Sequence, residues 1–446
     1  MRLQRLRFLV MMVGMAMAVA ACGDADAPDD TADDATADAA DDAADDTAPE
    51  EGAAIGGELT VVHNWAGSEG EALQEVLAGF VEQNPDVNLQ DVQVPFGETG
   101  AQITQQYAAG TGPDVHVALP GLFRQLAAEG LLMDLSDLWD EWLANGDYTE
   151  SLREVASADG VPVAAWFKGN VNGLIWHTPD QLDDLGVAVP EDWASFTAGL
   201  DTLGQGGVAP FAVGGADGWP LTQWFDPFLS RVAGPDVFNQ LATGEIGWDH
   251  DQVRETLEVF GGFIADYFPD NALDVGFIDA TCTRVDGDAA YQNQGAFINL
   301  IAPAECGAEE GSFTFFEMPA YSPDVASAVN ISGDLFVMNR DSPNPDAARA
   351  LLRYLGSAEA QQIWAAQGGF IAPNGNVPLD AYPEGNDREA AMLWPREADV
   401  AGLYDLDDSI GGEIQSTQAQ ALQQFVRDQD VDAFIATMTA VDTRSD

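Results

Sequence analysis

Extended apolar runs alternate with amphipathic helical stretches along this 446-residue chain, and no other feature restricts its fold as strongly. Residues 59–64 read as a strand. Leu73, Val76, Leu77, Phe80 and Val81 then share one face of a helix that Asn84-Pro85 ends, and Ser68 with Glu71 predicts a capping box at its start. Residues 87–94 and 114–118 are the next strands, with a polar helix between them ending at Gly110-Thr111-Gly112-Pro113. Strand followed by helix, repeated, predicts an α/β fold with a parallel sheet. The alternation breaks at 160–170, an extended piece running on into 173–176 and long enough to pass between two domains. Helices are predicted again at 179–185, 190–203, 347–355 and 358–366 and from 417 onward.

The N-terminus lies outside this pattern. Arg2, Arg5 and Arg7 precede an apolar run from Phe8 to Ala21 that is too short to span a bilayer, so residues 1–21 read as a signal peptide. Residues 23–54 are almost entirely Asp, Ala, Thr, Pro and Glu. Such a tract cannot collapse and extends by self-repulsion, as an acidic disordered tether would.

Setting aside the three leader arginines and the thirteen tether acids leaves 13 basic and 62 acidic side chains, a net charge near −49 on the remaining body. Nucleic acid is thereby excluded as a partner, and so is an anionic membrane surface. Lys168 is the only lysine, and arginine has not risen to replace the others. Such an acidic surface fits a protein exposed to high salt. About 390 residues suffice for two domains. Beyond Cys22 only Cys282 and Cys306 remain, and in an exported chain they are expected to form one disulfide, two buried thiols being the alternative.

Several segments, in order, resemble the solute-binding proteins of ABC sugar importers, specifically the family 1 lipoproteins and their alpha-glucoside-binding branch. They are Trp65 to Glu69, Gly110 to Val115, Trp166 to Asn170 leading into Gly173 to Trp176, Gly218-Trp219-Pro220 with Trp224, Gln294 to Ile298, Ser332-Gly333-Asp334, Trp364 to Pro373 and Asp405 to Asp408. Val19-Ala20-Ala21-Cys22 resembles the lipoprotein box, which implies lipidation of Cys22 and a place on the extracellular face of the cell membrane. The resemblance implies a two-lobed periplasmic-binding-protein-like fold (type II) with hinge crossovers and a ligand cleft between the lobes. It places 55–165 and 319–370 in the N-terminal lobe and 166–317 and 371–446 in the C-terminal lobe. A small carbohydrate, ABC permease subunits and a monomeric state are the implied partners and form. Relatives carry more lysine than this chain, so surface chemistry does not transfer.

A sugar offers an apolar face and a ring of hydroxyls, so its site needs aromatic planes and planar polar groups. Trp65, at the carboxyl edge of the first strand, and the loop or crossover tryptophans Trp166, Trp219, Trp224 and Trp394 are the stacking candidates. Trp139, Trp142, Trp193 and Trp364 fall among apolar residues at helical spacing and read as core. Glu69 lies in a first helical turn, where a carboxylate is favoured. Lys168 and Asn170 are polar candidates on the crossover; the resemblance implies Asp114, Gly333 and Asp334 as well, with Gln294 and Asn299 from the second lobe. Lys168 reads as a hydroxyl donor or as a hinge ion pair. His63, His116, His177 and His250 are scattered singly and predict no metal or cofactor. An extracellular glycoside hydrolase is the main alternative, needing paired acids roughly 5–9 Å apart. A polyamine or peptide binder is the other. No nucleophile elbow, zinc helix or phosphate loop occurs, so the chain is expected to bind rather than catalyse.

Overall fold

The computed structural model describes residues 55–309, 311–326, 328–394 and 402–444. Cys22, the signal peptide and the tether lie outside them. Two sheets organise the described chain. The larger has six strands: Gly402–Tyr404, Val329–Met338, Val115–Ala118, Gly56–His63 and Asp86–Gln93 in that order, with Ala164–Asn172 also paired to Val329–Met338. The smaller has four, ordered Thr314–Glu317, Leu174–His177, Ala289–Gln294 and Ala209–Phe211.

The first strand is parallel to both its neighbours, as the strand–helix alternation requires. The sheets are nonetheless mixed. Val329–Met338 runs antiparallel to Val115–Ala118 and to Ala164–Asn172, because it enters the sheet from the opposite side on its way back from the second lobe. These two long strands pair from Ala164 with Val337 to Asn172 with Asn330. Ile371 adds a third crossing through a bridge to Gly169.

Two hydrophobic cores flank this crossing. One gathers Leu59, Val61, Phe80, Phe123, Trp139, Phe336, Leu351 and Trp364. The other gathers Phe196, Phe211, Trp224, Phe228, Phe260, Phe263 and Phe425. Ile371, Val377, Tyr382, Ala390 and Trp394 pack into the first. These residues share that core with the first strands and also with Leu174, Trp176, Ile298 and Phe313. Trp248 is buried, its indole N–H donating to Asp442 at 2.8 Å.

The helix after the first strand spans Gly67–Gln83, but the capping box does not form. Ala66 occupies the N-cap without a side-chain bond, and Ser68 already lies inside the helix. The Ser68 N–H instead donates to Glu305 at 3.3 Å, from the helix Ile298–Cys306. Cys282 and Cys306 are disulfide-bonded, tying Phe277–Val285 to that same helix. Among the described residues no helix is long and apolar enough to cross a membrane.

Candidate functional site

The carboxyl edge of the larger sheet carries four of the expected residues into one cluster. Trp65 leaves the strand Gly56–His63, Glu69 follows in the first turn of the helix, and Lys168 stands opposite Asp334 on the crossing strands. The Lys168 ammonium pairs with the Glu69 carboxylate. It also lies 4.8 Å from the ring centre of Trp364 and 5.9 Å from that of Trp65. Trp65 is 5 % exposed and boxed by Phe167, Phe336 and Trp364 with His63 stacked beside it, so like Trp394 it is packed into the first core and has no open stacking face. Burial pushes the Asp334 carboxyl up to about 6; Lys168 opposes the rise and Glu69 adds to it.

The second wall is aromatic. Trp219 opens the helix Trp219–Val232 and packs at 5.1 Å from Phe277 and 6.2 Å from Phe297. All three rings are half-buried. Gln294 and Asn299 lie at the two ends of the turn that carries Phe297. Gln294 Oε1 and Asn299 Nδ2 are buried without a hydrogen-bond partner among the described residues.

Six candidates have other work. Trp224 is 1 % exposed and wedged between Phe211, Phe263 and Phe268 in the second core, so no face is open to a solute. Trp166 is wholly buried, donates to the Leu152 carbonyl at 2.8 Å and meets Trp394 edge-on. Trp394 in turn fills the space against Gly169. Both tryptophans pack beneath the crossing strands and present no stacking surface. Asp114 precedes its strand, at the edge away from Trp65, where it accepts from Thr60 N–H at 2.8 Å and from the Ser342 hydroxyl. It braces the sheet.

Asn170 has its side chain used internally. Its carbonyl accepts from Ala296 N–H at 2.8 Å, while its amide donates to Asn172 and, at 3.2 Å, to Ser332. It ties the crossing strands to the turn of the second wall. Gly333 is required by packing, since a Cβ there would lie 2.4 Å from the Lys168 carbonyl and 2.5 Å from Trp166.

The sequence reading did not single out Phe277, Phe297 or Asp226, and it quoted Asp405 to Asp408 without giving them a role. Asp405 accepts from Asn172 at 2.8 and 3.0 Å, and Asp226 accepts from Leu406 N–H at 2.7 Å. Burial, together with mutual repulsion, raises Asp226, Asp405 and Asp408 well above the ordinary carboxylate range; burial lifts Asp407 to about 6. Phe297 lay within the quoted Gln294 to Ile298 segment, so attention to all aromatics rather than to tryptophan would have found it. Among the described residues no His, Cys, Asp and Glu grouping suits a metal ion.

The arrangement offers ring faces, carboxylates that accept paired hydroxyls and an ammonium donor in a place largely shut from water, which suits a polyhydroxylated solute. The family profile described as bacterial extracellular solute-binding protein matches residues 66–362. The osmoprotective compounds-binding protein GgtB of Synechocystis sp. is 24% identical over 376 residues, covering 80% of this chain and 85% of its own. The alpha-glucosides-binding periplasmic protein AglE of Rhizobium meliloti is 28% identical over 352 residues, covering 73% and 74%. Among solved structures, maltose-bound MalE3 of T. maritima superposes with a TM-score of 0.71 at 19% identity, covering 86% of this chain and 98% of that one. A chitin oligosaccharide binding protein reaches a TM-score of 0.76, also at 19% identity, over 86% and 98%. The shared feature is the periplasmic-binding-protein α/β fold.

Proposed function

The chain belongs to the bacterial extracellular solute-binding protein family, a family of binders and not enzymes, and on that premise we propose that its cleft captures an alpha-glucoside disaccharide. It serves an ABC transporter outside the cytoplasm. In our reading the first lobe comprises 55–165 and 319–370, the second 166–317 and 371–446, and lipidated Cys22 holds the body to the membrane by the acidic tether. The sugar reading is supported by two groups of side chains: Glu69, Lys168 and Asp334 gather beside the buried Trp65, while Trp219 meets Phe297 near Gln294 and Asn299.

Solute bound first to one wall shifts the lobes toward closure by its added contacts with the other. Water excluded from the cleft then strengthens each hydrogen bond, and every unmatched hydroxyl costs affinity. The narrower choice of glucoside is supported by the alpha-glucosides-binding relative, while the osmoprotective compounds-binding relative supports small compatible solutes as a second reading.

The test is a melting-temperature panel of mono- and disaccharides and non-sugar osmolytes against the body from Ile55 in high salt. A ligand that binds only the folded protein raises its melting point. A rise of several degrees with one glucoside, and no product formed, supports the reading. A response only to a non-sugar solute, or product formation, overturns it.

A further inference from the structure

Trp364 was read from the sequence as core, and it is fully buried. Its surroundings say more. It packs against Phe370 at 5.2 Å and Trp65 at 5.4 Å, and its indole N–H has no hydrogen-bond partner among the described residues. One ring face therefore meets the Lys168 ammonium at 4.8 Å, closer than Trp65 does. The helix bearing it, Ala358–Ala365, lies against the helix Gly67–Gln83, which bears Glu69. Lys168 is 4% exposed, so water cannot replace what its ammonium loses on burial.

We propose that Trp364 is a positioning residue for solute capture: its ring seats the chain's only lysine so that the ammonium is held at the cleft wall. This rests on the reading of Lys168 as a solute contact. The Glu69 carboxylate satisfies one ammonium donor, and a cation over an indole face is attracted by the ring quadrupole. Between them they fix the head group from two directions. Opposite stands Asp334, with which no hydrogen bond is formed, and the ammonium's remaining donors are left for an acceptor oxygen of the solute. Arginine does not substitute, since a planar fork cannot keep both the ring contact and the Glu69 pair of a compact ammonium.

Because the chain has one lysine, incorporating lysine labelled with carbon-13 at Cε gives a single side-chain signal. In the wild type, ring currents from Trp364 and Trp65 move that signal and its attached protons upfield of free lysine. Trp364→Leu returns it most of the way and Trp364→Phe only part of the way. The second arm is a double-mutant cycle on sugar affinity. Trp364→Leu alone weakens binding about 3- to 10-fold. In Lys168→Met the same change adds nothing, because there is no ammonium left to seat. A signal unmoved by Trp364→Leu, or losses that multiply in the double variant, would make Trp364 core packing only. If Trp364→Leu does not fold, the wild-type and Trp364→Phe signals still decide. The labelling arm needs no ligand, so failure of the wild type to bind any sugar would overturn the functional reading without touching this one.

Discussion

Replacing Asp334 with asparagine should stabilise the protein while damaging its site. The Asp334 carboxyl is lifted to about 6 from an ordinary 3.8, chiefly by burial. A folded-state value above the unfolded one means the fold prefers the protonated acid. Its contribution to stability is full below pH 3.8 and is lost as pH rises through 6. A shift of about two units corresponds to about 3 kcal/mol. Asp334 retains some accessible surface, so solvent screening brings this to about 1–2 kcal/mol. Asparagine is neutral throughout and avoids the loss. Urea unfolding at fixed salt, followed by tryptophan fluorescence, should show Asp334→Asn more stable than wild type by that amount at pH 7.5 and equal to it near pH 3.5. Sugar affinity at pH 7.5 should fall at least tenfold, because a paired acceptor of hydroxyls is gone. A stability difference that ignores pH, or a variant less stable than wild type at pH 7.5, would refute the reasoning.

Trp219→Ala should weaken sugar binding at least tenfold in calorimetry with little change in melting temperature, since its ring is half-buried at the second wall. Trp224→Ala should cost about 3–5 kcal/mol of stability in chemical denaturation, since it empties the second core. Gly121→Ala adds a Cβ that would lie 2.2 Å from Gly411 Cα, where the helix Pro120–Ala128 meets the chain after Leu406–Ile410. We expect this clash with backbone to lower its melting temperature; an unchanged value would show that the two segments separate without cost. Moving the body from molar to low salt should lower its melting temperature through self-repulsion of a net charge near −49; an unchanged value would remove the high-salt reading.

Much of the architecture was legible because it is local. The helix Pro179–Leu185 has the bounds its punctuation predicts, and Gly67–Gln83 stops before Asn84-Pro85. What escaped was long-range. No local pattern says that Val329–Met338 returns antiparallel, or that residues 371–394 pack on the first core. The same holds for the site. Lys168 and Glu69 were found by residue type and place, and Asp334 by the resemblance, but their meeting depends on strand register. Trp224 and Trp166 looked equivalent to Trp219 in sequence, and only packing separates a ring inside a core from one at a wall. The Ser68–Glu71 pair failed because the chain enters the helix two residues earlier than a serine N-cap requires.

The disulfide joins the two helices that begin at Phe277 and just after Phe297, the rings beside Trp219. Its loop stabilises the folded state by about 3 kcal/mol on the chain-entropy model, but its placement matters for timing as well. Thiols stay reduced in the cytosol and oxidise after export. A newly made chain therefore carries these rings unfastened until it has been exported. If those rings contact solute, the bond's formation sets when they are fixed in place. Sugar affinity measured on the reduced body should be several-fold weaker than on the oxidised one, and equal affinities would reduce the bond to a structural staple.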